Sequence, residues 1–263
     1  MHRVFYCTCV FAILISGCAI IAGTEGRKDF NEAVALYNTG DCENASLKFT
    51  RALQKDADLR EGYVYLAECS LKQGDLEAAV KSAEQAMAAG AKGAGITSRL
   101  KTVLTAGGQS AIDKKQGDLA VRFFQDAIPL EQKDNGLRIG LGTALLQRGN
   151  KEDMKAAIIE FKTALSTSAS SAQTMALIRT ALFARAEQYA AQGDTYTQSR
   201  CYLAYTENFN KDDVEACVNL GKLFYQTDNP IGALYYANKA RALDPKNKAA
   251  MELINELNTP MQH

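Results

Sequence analysis

Cysteines and carboxylates are the residues of this 263-residue chain whose types could do chemistry, and histidine is the residue whose placement rules most chemistry out. His2 stands beside the first residue and His263 is the last, so the body of the chain holds none. A triad, an imidazole general base and an imidazole-ligated metal therefore all lack their central group. The acidic candidates Asp56, Asp58, Asp212, Asp213 and Glu215 fall between apolar-periodic segments, in inter-helix turns where charge is normally solvated. We expect no catalytic residue, no enzyme, no cofactor and no metal. Gly90-Ala91-Lys92-Gly93-Ala94-Gly95 has the glycines of a phosphate loop but lacks the Gly-Lys-Ser/Thr ending and follows a helical segment, so it reads as a linker. Gly136, Gly140 and Gly142 have no βαβ context and read as a close helix contact rather than a dinucleotide fingerprint.

The cysteines offer redox chemistry. Residues equidistant from the turn of an antiparallel helix pair face each other; Cys42 and Cys69 centre on Lys55-Asp56, and Cys201 and Cys217 centre on Phe209. Disulfides of Cys42 with Cys69 and of Cys201 with Cys217 are one reading in an oxidising compartment. Four buried free thiols, acting as small hydrophobes, are the other.

Cys7, Cys9 and Cys18 belong to a different pattern. A short positive start, Met1-His2-Arg3, precedes an apolar run from Val4 to Ile15 that ends in Ser16-Gly17-Cys18, the build of a secretory signal peptide. Ile15-Ser16-Gly17-Cys18 resembles a bacterial lipobox. That resemblance implies cleavage after residue 17, a lipid (palmitate) anchor on Cys18, a tether over residues 18–27, and a place in the bacterial cell envelope. Ala19, where an aspartate would resemble the inner-membrane retention signal, favours the outer membrane facing the periplasm. The alternative is an uncleaved anchor extending over residues 4–23. Thirty basic and thirty acidic side chains balance, and nothing suggests a nucleic-acid partner.

The elements that would position any site are helices. Gly40-Asp41 and Gly74-Asp75 are 34 residues apart between apolar-periodic segments, a helical-array period. Glycine closes one helix in the left-handed region and aspartate caps the next. Gly117-Asp118, Gly149-Asn150, Gly193-Asp194 and Asp228-Asn229-Pro230 read the same way, giving six helix-turn-helix repeats.

After these turns come Ala45-x3-Phe49-x2-Ala52, Ala120-x3-Phe124-x2-Ala127 and Ala157-x3-Phe161-x2-Ala164. The second repeat offers Tyr63-x2-Leu66-Ala67 with Ala79, Ala83 and Ala86, and the last offers Leu220-Gly221-x2-Phe224 with Ala233, Ala237, Ala240 and Asp244-Pro245. These segments resemble tetratricopeptide repeats over residues 28–257. The resemblance implies an all-α, right-handed α-solenoid of about six repeats: four over residues 28–165, a polar break at 166–171, two over 172–246, and a capping helix and tail over 247–263. Steps of 34, 41, 37, 41 and 35 between equivalent positions predict an irregular superhelix, and Gln198 and Tyr205 stand where alanines would be expected.

The resemblance also implies a binding function, with the first helix of each repeat lining a groove for a peptide or partner protein. Helical spacing places Phe30, Val34 and Tyr37 there, then Val64, Glu68 and Lys72, then Thr105 and Gln109, then Ile139, Thr143, Phe183, Glu187, Lys222 and Tyr225. A lipidated repeat protein resembles pilotins of type IV pili, repeat lipoproteins of barrel assembly, and lipoproteins that gather peptidoglycan hydrolases. The expectation is a membrane-tethered adaptor holding an envelope protein. The alternative is a small-molecule-binding component of a periplasmic transport system, with a pocket opened by Ala106-Gly107-Gly108.

Overall fold

The computed structural model describes residues 24–258, and among these the secondary structure is helix throughout, with no strand. Residues 24–38 are helical (α1). There follow α2 (Cys42–Lys55), α3 (Gly62–Lys72), α4 (Leu76–Ala88), α5 (Ala94–Asp113), α6 (Gly117–Ala127), a 3-10 turn at Ile128–Leu130, α7 (Asn135–Arg148) and α8 (Asp153–Thr167). The chain ends with α9 (Ser171–Ala191), α10 (Thr195–Asn208), α11 (Val214–Gln226), α12 (Pro230–Leu243) and α13 (Lys248–Asn258). It divides into two compact modules, Met1–Gln132 and Lys133–His263. The polar stretch 166–171 lies inside the second, where the Ser168 and Thr174 hydroxyls are 2.7 Å apart and the Ser170 amide donates to Ser168 Oγ at 3.1 Å.

Each repeat is held by the residues that its second helix presents to its first. Ala45, Phe49 and Ala52 are fully buried, as are Ala79, Ala83 and Ala86, Ala157, Phe161 and Ala164, and Ala233, Ala237 and Ala240. Alanine lets the backbones approach, and each buried phenylalanine contributes about 2–3 kcal/mol. The partner helix answers with glycine where a ring must fit. A Cβ on Gly107 would lie 2.4 Å from the Phe123 ring, one on Gly108 2.7 Å from Phe124, and one on Gly142 2.3 Å from Phe161. In the fifth repeat the buried Tyr202 takes the phenylalanine position and the buried Tyr205 an alanine position, and Phe183 packs edge-on against them at 4.9 and 5.4 Å. On α13, Ala250, Leu253 and Ile254 are buried; Leu253 and Ile254 pack with Ala237, which makes it the cap of the last repeat.

Four turns carry the expected chemistry. Gly40, Gly74 and Gly193 take φ of 85°, 79° and 73°, and Asp41, Asp75 and Asp194 accept from the amides of Asn44, Ala78 and Thr197. Asp228, at φ 55°, substitutes for glycine before the Asn229 cap and Pro230.

Two turns differ. At the third, Lys115 takes the left-handed conformation and Gln116 is the cap position, while Gly117 is already helical and buried. The alanine register decides this: Ala79 donates to Asp75 O in α4 and Ala120 donates to Gln116 O in α6, so Asp118 falls in the first turn instead of capping it. At the fourth, Gly149 closes α7 at φ 74°, but α8 starts only at Asp153. Asp153 reaches back to accept from the Asn150 amide at 2.8 Å and from Arg148 at 2.7 and 2.9 Å, so the acid lies inside the helix rather than before it.

Candidate functional site

In the first module three helices bring their side chains to one cluster. Tyr65, Glu68 and Lys72 fall at i, i+3 and i+7 on α3, one stripe of that helix. Near the end of α1, Tyr37 meets Tyr65 edge-on with ring centroids 5.1 Å apart. From the first turns of α5, Arg99 lays its guanidinium 3.8 Å from the Tyr65 centroid and 5.5 Å from that of Tyr37. Lys72 Nζ stands 4.0 Å from the Tyr37 centroid.

The rings are held from below, since Tyr65 stacks on the buried Phe49 at 4.7 Å and meets Phe30 edge-on at 5.9 Å. Arg99 donates to both oxygens of Glu68, with Nε to Oε1 at 2.8 Å. The Tyr37 hydroxyl is reached by Glu68 and by Lys72. Burial is the main reason its pKa rises, with the Glu68 carboxylate adding to it. Contact with Glu68 holds the Arg99 pKa above its usual value against the opposing effect of burial. Two cations face one carboxylate over two tyrosine rings, so this patch is aromatic with one positive charge in excess. It can stack an apolar or aromatic group and attract an anionic one.

The second module repeats the device differently. Arg179 on α9 lies 4.1 Å from the centroid of the buried Phe183. It donates to Asp213 at 2.8 Å and to Glu215 at 2.6 Å. Asp213 also caps α11 through the Ala216 amide.

Of the residues expected in the groove, Tyr37, Glu68 and Lys72 are brought together by the structure. Val64 is fully buried, and Phe30 and Phe183 are also core residues, because at those positions the first helix faces its own repeat. Val34 is half-buried against the first core cluster. Thr105 and Thr143 turn their hydroxyls to the carbonyls of Lys101 and Ile139, and Gln109 donates to Asp113. Glu187 accepts from Tyr202, while Lys222 and Tyr225 are exposed on α11. Tyr65 and Arg99 were missed. Tyr65 was legible from its spacing to Glu68 and Lys72, whereas Arg99 follows a linker whose length hides the start of α5.

Cys18 lies outside the described residues. Among the described residues Cys42, Cys69, Cys201 and Cys217 are free, buried thiols rather than disulfides. Burial raises the Cys201 pKa to about 12, and Cys217 donates weakly to Lys211 O at 3.9 Å. The pocket expected at Gly107-Gly108 does not form, because Phe123 and Phe124 occupy that space. An open groove of about 580 Å³ lies elsewhere, lined by Ser46, Thr50, Tyr63, Ser70, Lys81 and Gln85 among others.

No family model matches the sequence, and no curated protein matches it either. Among solved structures it is similar to YrrB, described as a TPR protein with an unusual peptide-binding site, at 17% identity over 85% of this chain and 89% of that one, TM-score 0.38. It is similar to PilF of Pseudomonas aeruginosa at 15% identity over 89% and 98%, TM-score 0.35, and to a TPR repeats protein from Bacteroides fragilis at 14% over 75% and 97%, TM-score 0.44. Likenesses this distant add no weight, and the fold rests on the helix pairs themselves. The fold is tetratricopeptide-like. No helix among the described residues is long and apolar enough to cross a membrane.

Proposed function

We propose that this chain is an envelope adaptor that holds a peptide segment of another protein against the α1, α3 and α5 face of its first module, while a lipid on Cys18 tethers it to the outer membrane on the periplasmic side. The observation that carries the binding reading is the Tyr37, Tyr65, Lys72 and Arg99 cluster. Partly exposed aromatic rings under two cations are an expensive way to make a helix joint and a good way to make a recognition surface. The tether reading rests on Ile15-Ser16-Gly17-Cys18 alone. Binding rather than catalysis fits the carboxylates as well, since Asp41, Asp75, Asp194 and Asp213 are engaged as helix caps.

The test is to tag the C-terminus, crosslink in intact cells of the source organism, extract in mild detergent and identify what co-purifies. Wild type should enrich one envelope protein, Lys72→Glu with Tyr37→Ala should lose it, and Cys18→Ala should release the chain from the membrane fraction. Capture that survives the double variant would remove the proposed site, and membrane association that survives Cys18→Ala would remove the tether.

A further inference from the structure

We infer that Cys42 and Cys69 are a closable thiol pair, the site of a reversible disulfide between α2 and α3, and that Cys201 and Cys217 are not. Cys42 opens α2 and Cys69 lies in the second half of α3. Both sulfurs are in one buried cluster with Phe49, Ala45 and Leu59. The two side chains are neighbours in that cluster, and Ser46 lies beside Cys69. The Lys72 ammonium, one turn beyond Cys69, is close enough for both sulfurs to act on it. The other two thiols do not share a cluster in this way: Cys217 packs with Val218, Ala240 and Ala250, a group to which Cys201 does not belong.

The chemistry is thiol–disulfide exchange with an external disulfide, whether a small molecule or an oxidoreductase. Cys42 is 7% exposed and Cys69 is fully buried, so Cys42 is the sulfur that an oxidant can reach first. Its thiolate attacks one sulfur of the external disulfide, forming a mixed disulfide and expelling one thiolate. Cys69 passes its proton to that thiolate and attacks the Cys42 sulfur, expelling the second thiol. Two cysteine thiols and one external disulfide thus become one Cys42–Cys69 bond and two external thiols. Burial raises the Cys69 pKa to about 12, which makes the second step the slow one.

The bond would join the second helix of the first repeat to the first helix of the next, a joint otherwise built mainly on apolar packing. Constraining the unfolded chain there should raise the melting temperature by several degrees. This inference stands whether or not the Tyr37 to Arg99 face binds a partner.

The full chain, purified reduced, is incubated with oxidised glutathione, alkylated with iodoacetamide before and after denaturation, and mapped without reduction by mass spectrometry. The expected result is a Cys42–Cys69 linked peptide, Cys201 and Cys217 alkylated after denaturation, and a melting temperature that falls when dithiothreitol is added. Cys42→Ser and Cys69→Ala should each abolish both the link and the redox shift. Recovery of Cys42 and Cys69 as alkylated thiols, or a Cys201–Cys217 link forming as readily, would overturn it. The wild-type map decides the matter even if a variant fails to fold.

Discussion

Arg99 and Arg179 each lie flat on an aromatic ring and bind a carboxylate, yet they make different things of the two modules. Arg99 sits over two tyrosines that keep hydroxyl groups and partial exposure, shares one carboxylate, and has Lys72 beside it. Arg179 sits over Phe183, which is 8% exposed, and is held by two carboxylates, one of which is the cap of α11. The first arrangement leaves a positive excess over exposed π faces. The second spends its cation on two anions and on the joint between α9 and α11. What separates the proposed recognition surface from a structural clamp is thus the count of carboxylates and the depth of the ring, not the cation–π contact itself.

The sharpest test removes each arginine. Arg179→Met should cost about 2–3 kcal/mol in urea unfolding, because it strands Asp213 and Glu215 together and weakens a cap. Arg99→Met should cost about 1–2 kcal/mol, because Glu68 keeps the Tyr37 hydroxyl. Equal losses would mean that both are clamps.

A second comparison sets Asp153 against Asp126. Asp153 is buried, and Arg148 and the Asn150 amide hold its pKa below the usual carboxylate value despite burial. Its contribution is present at neutral pH and is lost as pH falls through that lowered value, so Asp153→Asn should cost about 2 kcal/mol at pH 7 and much less in strong acid. Asp126 is the opposite case. Oδ2 is buried without a hydrogen-bond partner, and burial, then the nearby Glu84, raise its pKa to about 6 despite Arg122. Folding therefore favours its protonated form, and the stability this gives is full in acid and lost as pH rises through about 6. Asp126→Asn should gain about 1 kcal/mol at pH 7.5, allowing for partial exposure, and almost nothing at pH 4. For each variant, urea midpoints near neutral pH and in acid read the sign.

The repeat architecture was written plainly in the chain because alanine spacing and glycine turns act locally. The helix pairing, the buried Phe49, Phe124 and Phe161, and the cap of Leu253 and Ile254 all follow from periodicity. The third turn was misread because a Gly-Asp pair is only a local preference, and packing of Ala120, Phe124 and Ala127 against α5 overrode it. The clusters were harder to see. Tyr37 to Glu68 spans 31 positions and Glu68 to Arg99 another 31, so no single helix shows the set. Val64 and Phe183 were placed in the groove because periodicity marks a face without saying which neighbour it meets.

The smallest effect separates binding from folding most cleanly. Lys72 is exposed, and its contact with Tyr37 is worth about 0.5 kcal/mol at such a site, so Lys72→Ala should shift the urea midpoint barely more than Lys222→Ala, on the exposed face of α11. The same substitution removes the positive excess over Tyr37 while Arg99 remains paired with Glu68. Partner capture should therefore weaken several-fold with Lys72→Ala and remain unchanged with Lys222→Ala. If the two lysines behave alike in capture as well as in stability, the first module has no privileged surface, and Arg99 would be a clamp of the same kind as Arg179.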